Sequence, residues 1–214
     1  MDVVLPCLDE AAALPGVLAG LPPGYRAIVV DNGSNDGSPE IAAALGAKVL
    51  REPRRGYGAA VHTGLEAATA PVVCFADADG SLDLADLPQL VAAVEAGADL
   101  AAGRRVPVRR GVWPWHARAG NVVLSLLLRS RGLPVHDIAP LRAARRRELL
   151  DLGVEDRAFG YPLELLVKAR RARWRVREFD VTYRERAQGT RSKVSGSVRG
   201  TLRAVRDFGQ VLAR

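Results

Sequence analysis

Two carboxylates one residue apart, Asp77 and Asp79, follow directly on the apolar run Val72-Val73-Cys74-Phe75-Ala76 and precede Gly80-Ser81. An apolar run that stops at acidic residues reads as a buried strand whose end reaches solvent. On extended backbone, residues i and i+2 point the same way, so both side chains can meet one hard cation through oxygen ligands. Magnesium or manganese held like this keeps coordination positions open for substrate phosphates. A polar turn after a strand has the same composition, because Asp, Gly and Ser dominate turns. The pattern becomes chemistry only if other polar loops meet it.

Three further apolar runs end in polar clusters: Pro6-Cys7-Leu8-Asp9-Glu10, Asp31-Asn32-Gly33-Ser34-Asn35-Asp36-Gly37-Ser38, and Arg54-Arg55-Gly56-Tyr57-Gly58. Loops that follow parallel strands share one sheet edge, the edge where α/β proteins bind ligands. Glu10 and Asp31 are then placed to accept hydrogen bonds from a ribose hydroxyl or a base N–H, and Gly56 and Gly58 would let backbone approach a ligand closely. A dinucleotide-binding fold is excluded, because Pro6-Cys7-Leu8 stands where a Gly-x-Gly-x-x-Gly turn is needed, and no Gly-Lys-Ser/Thr forms a P-loop.

The elements that must position these loops alternate. Strands are expected at Asp2–Leu5, Ala27–Val30, Ala47–Leu50, 72–76 and Asp99–Ala102. Helices are expected at Ala11–Leu21, Ser38–Leu45, Tyr57–Thr69 and Leu84–Ala96, with Pro39 in a first turn where proline is tolerated. This β-α-β-α rhythm predicts a mostly parallel sheet with helices on both faces. After Gly103 the pattern changes. Residues 104–116, basic and rich in Pro and Trp, read as a loop crossing the ligand face. Helices are expected at Ala117–Ser130 (amphipathic or interfacial), Ala143–Leu152 and Tyr161–Arg171, and a strand at Trp174–Tyr183. Ser195–Arg214 spaces Val198, Leu202, Val205 and Leu212 as one helix face, with arginines opposite. Such a helix could lie on an anionic membrane or pack on its own domain. No linker separates two units, so residues 1–214 are expected to form one domain, with 1–103 the nucleotide-binding half and 104–214 the acceptor-binding half.

Charge follows the same division. Residues 1–100 hold 5 Lys+Arg against 14 Asp+Glu, and residues 101–214 hold 26 against 10. An acidic half suits a cation and a basic half suits phosphates. No apolar stretch approaches the length of a membrane span, and Met1 leads straight into a strand, which predicts a cytoplasmic protein. Cys7 and Cys74 read as small buried thiols, and no Cys/His spacing suits a metal. His62 and His116 read as ordinary surface or core histidines.

Taken together, Asp31-Asn32-Gly33-Ser34 with Asp36-Gly37, then Gly56-Tyr57-Gly58-Ala59-Ala60, then Ala76-Asp77-Ala78-Asp79-Gly80-Ser81 occur in the order seen in glycosyltransferase family 2. The sequence most resembles its dolichyl-phosphate mannose or glucose synthases and their bacterial relatives. Gly103-Arg104 is similar to the subgroup's Gly-x-Arg site, and Arg186 with Gly189-Thr190-Arg191-Ser192-Lys193 resembles its Arg…Gly-x-Ser-Lys segment with one extra residue. The resemblance spans about residues 2–200. It implies a GT-A-like three-layer fold, a Mg2+ or Mn2+ cofactor with Asp79 as direct ligand, and Asp77 serving the metal or the nucleotide sugar. Glu10 and Asp31 would bind the nucleoside, and Pro6, Gly33, Gly58 and Ala78 would complete the nucleotide-sugar contacts. Arg104, Arg186, Ser192 and Lys193 would surround the donor diphosphate or an acceptor phosphate.

The expected reaction is metal-dependent transfer of a sugar from a UDP- or GDP-sugar, with the inversion that the family implies, to a polyprenyl phosphate or a soluble hydroxyl acceptor. A cation and guanidinium groups aimed at the departing diphosphate lower the barrier. A phosphate acceptor is already nucleophilic, whereas a hydroxyl needs a base. Asp137 is the first candidate for that base and Glu164 the second; a structural salt bridge is the alternative for each. A nucleotidyltransferase would want a Gly-rich basic loop after the first strand, and Pro6–Glu10 is not one. A nucleic-acid-binding protein would fit the basic half, but aromatic residues make up only 5% and form no stacking stripe.

Overall fold

The computed structural model describes residues 1–138, 140–187 and 206–211, with the backbone alone at His116. Along the chain run β1 (Asp2–Cys7), α1 (Leu14–Ala19), β2 (Arg26–Asp31), α2 (Ser38–Ala44), β3 (Lys48–Arg51), α3 (Tyr57–Ala67) and β4 (Val72–Phe75). A 3₁₀ turn at Leu84–Asp86 leads into α4 (Leu87–Glu95), followed by β5 (Leu100–Pro107), α5 (Trp115–Ser130), β6 (Arg142–Arg145), α6 (Arg146–Asp151), α7 (Tyr161–Arg171) and β7 (Val176–Tyr183). Helices α1, α2, α4 and α7 carry Pro15, Pro39, Pro88 and Pro162 in their first turns, where no intrahelical N–H bond is lost.

The seven strands form one sheet in the order β3-β2-β1-β4-β6-β5-β7. Pairs β1–β2, β2–β3, β1–β4 and β5–β7 are parallel, and β6 is antiparallel to both β4 and β5. Six strands therefore point the same way, and β6 alone opposes them. The carboxyl ends of β1, β2, β4, β5 and β7 share one edge with the segment that enters β6. Side chains alternate between two cores. Val3, Leu5, Val29 and Cys74 pack with α1 and α4 on one face, and Val4, Val30, Val73 and Phe75 pack with α3 and α7 on the other. This is the expected three-layer arrangement. Cys7 and Cys74 are buried free thiols.

Three expectations need correction. Strand β1 does not stop at Pro6 but runs through it to Cys7. Val4 accepts from Ala76 N, so Pro6, two residues on, faces the same side beyond the end of β4, and its missing N–H costs no ladder bond. Residues 104–107, read as loop, extend β5 to Pro107 because β7 pairs with it along its whole length. The helix expected from Ala143 is strand β6 up to Arg145, and only then α6. Alanine and arginine favour helix locally, but the open edges of β4 and β5 on either side supply backbone partners that override that preference.

Of the C-terminal segment, residues 206–211 are helical, and Val211 is buried against the α7 side of the sheet. Val198, Leu202, Val205 and Leu212 lie outside the described residues.

Candidate active site

Asp77 and Asp79 leave the end of β4 at the shared edge. Asp79 is 2% exposed and Asp77 is half-buried. The Asp79 Oδ1 atom accepts from Ser81 N at 2.9 Å, a tight turn that places Gly80 at φ +76°, a conformation suited to glycine. The chain beyond β7 then zips along this turn. Asp83 N donates to Thr182 O, Arg184 N to Ser81 O, and Ala187 N to Asp79 O, at 3.3, 2.8 and 3.0 Å. This pairing brings Arg186 over the acids, with Nη1 at 2.7 Å from Asp79 Oδ2. That oxygen is buried and makes no hydrogen bond among the described residues, so its contact with Arg186 is an ion pair of poor hydrogen-bond alignment.

Burial first and the charge of Asp79 second push the Asp77 carboxyl up to about 6, against the pull of Arg186, Arg105 and a hydrogen bond from the Tyr57 hydroxyl. Tyr57, at the start of α3, is itself held well above the ordinary phenol range, by burial and then by Asp77. The pair fits a divalent cation. One oxygen is buried without a hydrogen bond, and positive charge already sits against it. Among the described residues no group of three or more His, Cys, Asp or Glu gathers at one point. An ion held by these two carboxylates would therefore keep positions for substrate oxygens.

Neighbouring residues on a strand face opposite sides, and this separates Arg104 from Arg105. Arg104 turns outward and forms a two-bond fork with Asp180 of β7, at 2.6 and 2.8 Å, away from the acids. Arg105 turns inward. Its Nε and Nη2 donate to Asp137 Oδ2 and Oδ1 at 2.8 and 2.7 Å, and its backbone N–H adds a third bond at 3.0 Å. The guanidinium lies 4.0 Å from the Trp113 ring centroid and 5.5 Å from that of Tyr183. Burial opposes the charge on Arg105, but Asp137 outweighs it and the guanidinium pKa is raised. Arg104 was the expected phosphate ligand; Arg105 is the arginine that the fold turns towards Asp77.

Asp137 is 1% exposed and both its oxygens are engaged by Arg105. The loop carrying it is fixed on three sides. Asn121 of α5 bonds to His136 O and Ile138 N, Glu178 accepts from His136 N and Asp137 N, and the buried Arg142 donates to Ile138 O and Pro162 O. Burial lowers the Arg142 pKa to about 10. Glu164 accepts from Glu155 N and Asp156 N and pairs with Lys168, which makes it an anchor for that loop.

The other predicted residues divide in the same manner. Asp31 caps its own turn, accepting from Gly33 N at 3.2 Å and Ser34 N at 3.0 Å, and Gly33 has φ +93° there. Glu10 is buried, and its N–H donates to the Ser38 hydroxyl. Pro6 and Ala78 lie at the strand ends beside them. Gly56 and Gly58, expected to face a ligand, are approached by the chain itself. A Cβ on Gly58 would sit 2.7 Å from Asp156 O and 2.8 Å from Tyr161 Cβ, and one on Gly56 would sit 2.1 Å from Arg157 O. Ser192 and Lys193 lie outside the described residues.

Arg105, Tyr57, Asn32 and Arg142 join the site although nothing in the local sequence singles them out. Asn32 donates to Glu52 O and Arg54 O and accepts from Gly56 N, tying the second loop to the third. Tyr57 stands between Gly56 and Gly58, whose spacing is the more prominent signal in that stretch. Both faces of β5 are buried at Leu100 and Ala101, so alternation along the strand alone does not say which of Arg104 and Arg105 turns inward.

Residues 2–153 match the family model Glycosyl transferase family 2. An uncharacterized glycosyltransferase of Mycobacterium tuberculosis is 60% identical over 214 residues, spanning 100% of this chain and 98% of the relative. The polyprenol monophosphomannose synthase of Mycolicibacterium smegmatis is 33% identical, over 97% and 86% of the two chains. Among solved structures, the glucosyl-3-phosphoglycerate synthase of M. tuberculosis in complex with Mn2+, uridine diphosphate and glucosyl-3-phosphoglycerate superposes with a TM-score of 0.80 at 24% identity, covering 99% of this chain and 77% of that one. With its GT-A sheet and its acid-lined edge, the chain belongs to glycosyl transferase family 2 and is a glycosyltransferase.

Proposed function

We propose that residues 1–214 act as one domain that transfers a sugar, with inversion, from a UDP- or GDP-sugar to a polyprenyl phosphate at the cytoplasmic membrane face. The observation that carries this reading is the buried Asp79 carboxylate, whose Oδ2 has Arg186 beside it but no hydrogen bond among the described residues. Asp79, with Asp77, would hold Mn2+ or Mg2+, which supplies positive charge against the departing diphosphate. Arg186 and Arg105 add fixed positive charge at the same edge, where it counts most as the leaving group gains charge. Asp31, Gly33 and Glu10 form the floor for the nucleoside; Ser192 and Lys193 are proposed on the phosphates.

The phosphate acceptor is favoured over a hydroxyl by the state of the two candidate bases. Asp137 is spent on Arg105, and Glu164 on two backbone amides and Lys168. An attacking phosphate oxygen is already anionic and needs neither. The relative named as a polyprenol monophosphomannose synthase points to the same acceptor class. The test is a transfer assay that pairs UDP- and GDP-sugars with a polyprenyl phosphate and with soluble hydroxyl acceptors, with and without manganese. Product on the lipid phosphate alone is expected. Product on a hydroxyl acceptor alone would overturn the acceptor assignment.

A further inference from the structure

Helix α5 carries apolar side chains on both of its sides. Its sheltered side packs Leu128 and Leu124 against the core and also holds the polar residues Asn121 and Ser125, at 6% and 2% exposure, with the Ser125 hydroxyl returned to Asn121 O and Asn121 spent on the 136–138 loop. Its outer side carries Trp115, Val122, Val123 and Leu126, at 81, 46, 64 and 51% exposure. Spacings of 7, 8 and 11 residues put these four on one face of a 3.6-residue helix. Arg118 and Arg129, both exposed, border that face on the side nearer the protein. The strand end leading towards the helix adds exposed Val106 and Val108, followed by exposed Arg109 and Arg110. Most exposed large apolar residues of the described chain thus lie within 21 consecutive positions, 106–126.

We propose that this face of α5 and the 106–110 segment form a docking surface for an anionic phospholipid bilayer. An apolar stripe with arginines along its border is the pattern of a helix lying in the headgroup plane, with valine, leucine and tryptophan among the upper acyl chains and guanidinium groups on lipid phosphates. At 16 residues, or about 24 Å at 1.5 Å per residue, α5 lies on a bilayer rather than across it. No helix among the described residues is long and apolar enough to cross one. Charge argues for acidic lipid, since residues 101–214 carry 26 Lys+Arg against 10 Asp+Glu. The inner face of the same helix holds the Asp137 loop, so α5 links the bilayer surface to the sugar-transfer edge through Asn121. The inference rests on the membrane-face placement in the proposed function, and it is tested without substrate, so failure of vesicle binding is distinguishable from failure of sugar transfer.

The test is co-sedimentation of the full chain with vesicles of phosphatidylcholine alone and of phosphatidylcholine mixed with phosphatidylglycerol. Wild type is expected on the mixed vesicles and largely free of the neutral ones. Val123→Glu/Leu126→Glu should weaken binding by about tenfold or more, and Arg118→Glu/Arg129→Glu should remove the preference for acidic lipid. Thermal melts of both variants should match wild type, since all four side chains are exposed. Wild type remaining in the supernatant would overturn the proposal. Undiminished binding by Val123→Glu/Leu126→Glu would also do so, by assigning the contact to another surface. A dimer in light scattering that the same double variant splits would instead assign the face to a second copy of the chain.

Discussion

Arg105 and Asp137 close a planar fork, Nε to Oδ2 at 2.8 Å and Nη2 to Oδ1 at 2.7 Å, against the face of Trp113. The pair turns a strand residue and a loop residue into one rigid unit at the sheet edge. On the proposed reading, Asp137 would serve as a positioning residue that holds Arg105 towards Asp77.

Removing one partner should cost more than removing both. Asp137→Ala leaves a nearly buried guanidinium without its counter-charge and is expected to destabilise the protein by about 3 kcal/mol or more. Arg105→Met/Asp137→Leu should recover part of that stability in urea melts while leaving transfer activity low. A double-variant loss equal to the sum of the losses in Asp137→Leu and Arg105→Met would show that the pair is not coupled.

The adjacent arginines should behave oppositely. Arg104 is an exposed partner of Asp180, so Arg104→Ala should change stability by about 1 kcal/mol at most and leave transfer near wild type. Arg105→Ala should lower kcat by about 10²-fold or more, with Arg105→Lys recovering little because the two-bond fork is lost. A large kinetic defect in Arg104→Ala would return the phosphate role to the outward-facing residue.

Gly56 and Gly58 are expected to act on stability before binding. Gly58→Ala forces a Cβ to 2.7 Å from Asp156 O and should cost about 1–3 kcal/mol. Gly56→Ala, with φ at +149° and an even closer backbone oxygen, should cost more. If either variant melts like wild type and loses only nucleotide affinity, the glycines face a ligand after all.

Acid stability should report on Asp2. Its buried carboxylate accepts from Thr69 N and Ala70 N at 2.7 and 2.8 Å and pairs with Arg26. Burial raises its pKa, but the two amides and Arg26 outweigh burial and leave it below the ordinary 3.8. With the folded value depressed, the stability it contributes is complete above the unfolded pKa and fades as pH falls through the folded one. Asp2→Asn should therefore be less stable than wild type at neutral pH by about 1–3 kcal/mol, with the gap closing below pH 3.8. A gap independent of pH would assign the loss to packing.

The first half of the fold was legible because strands such as Val72–Phe75 are apolar throughout and end in polar loops, so both element type and edge could be read. Asp77 and Asp79 followed from that edge. Strand β6 was not legible, because Arg-Ala-Ala-Arg carries no strand preference and is extended only between β4 and β5. The inward turn of Arg105 depends on β5 pairing with β7, about 76 residues away in sequence, and no local pattern encodes that. Gly56 and Gly58 signal a close approach, but the sequence does not say that residues 156–158 make it.

Asp79, with Asp77, is proposed to serve the diphosphate of a nucleotide sugar, and Asp79→Asn is the decisive variant. Turnover of UDP- and GDP-sugars should be measured with manganese for wild type and variant, alongside a thermal melt. A loss of about 10³-fold in turnover with the cooperative melt retained is expected. Full turnover by a folded Asp79→Asn protein would contradict it.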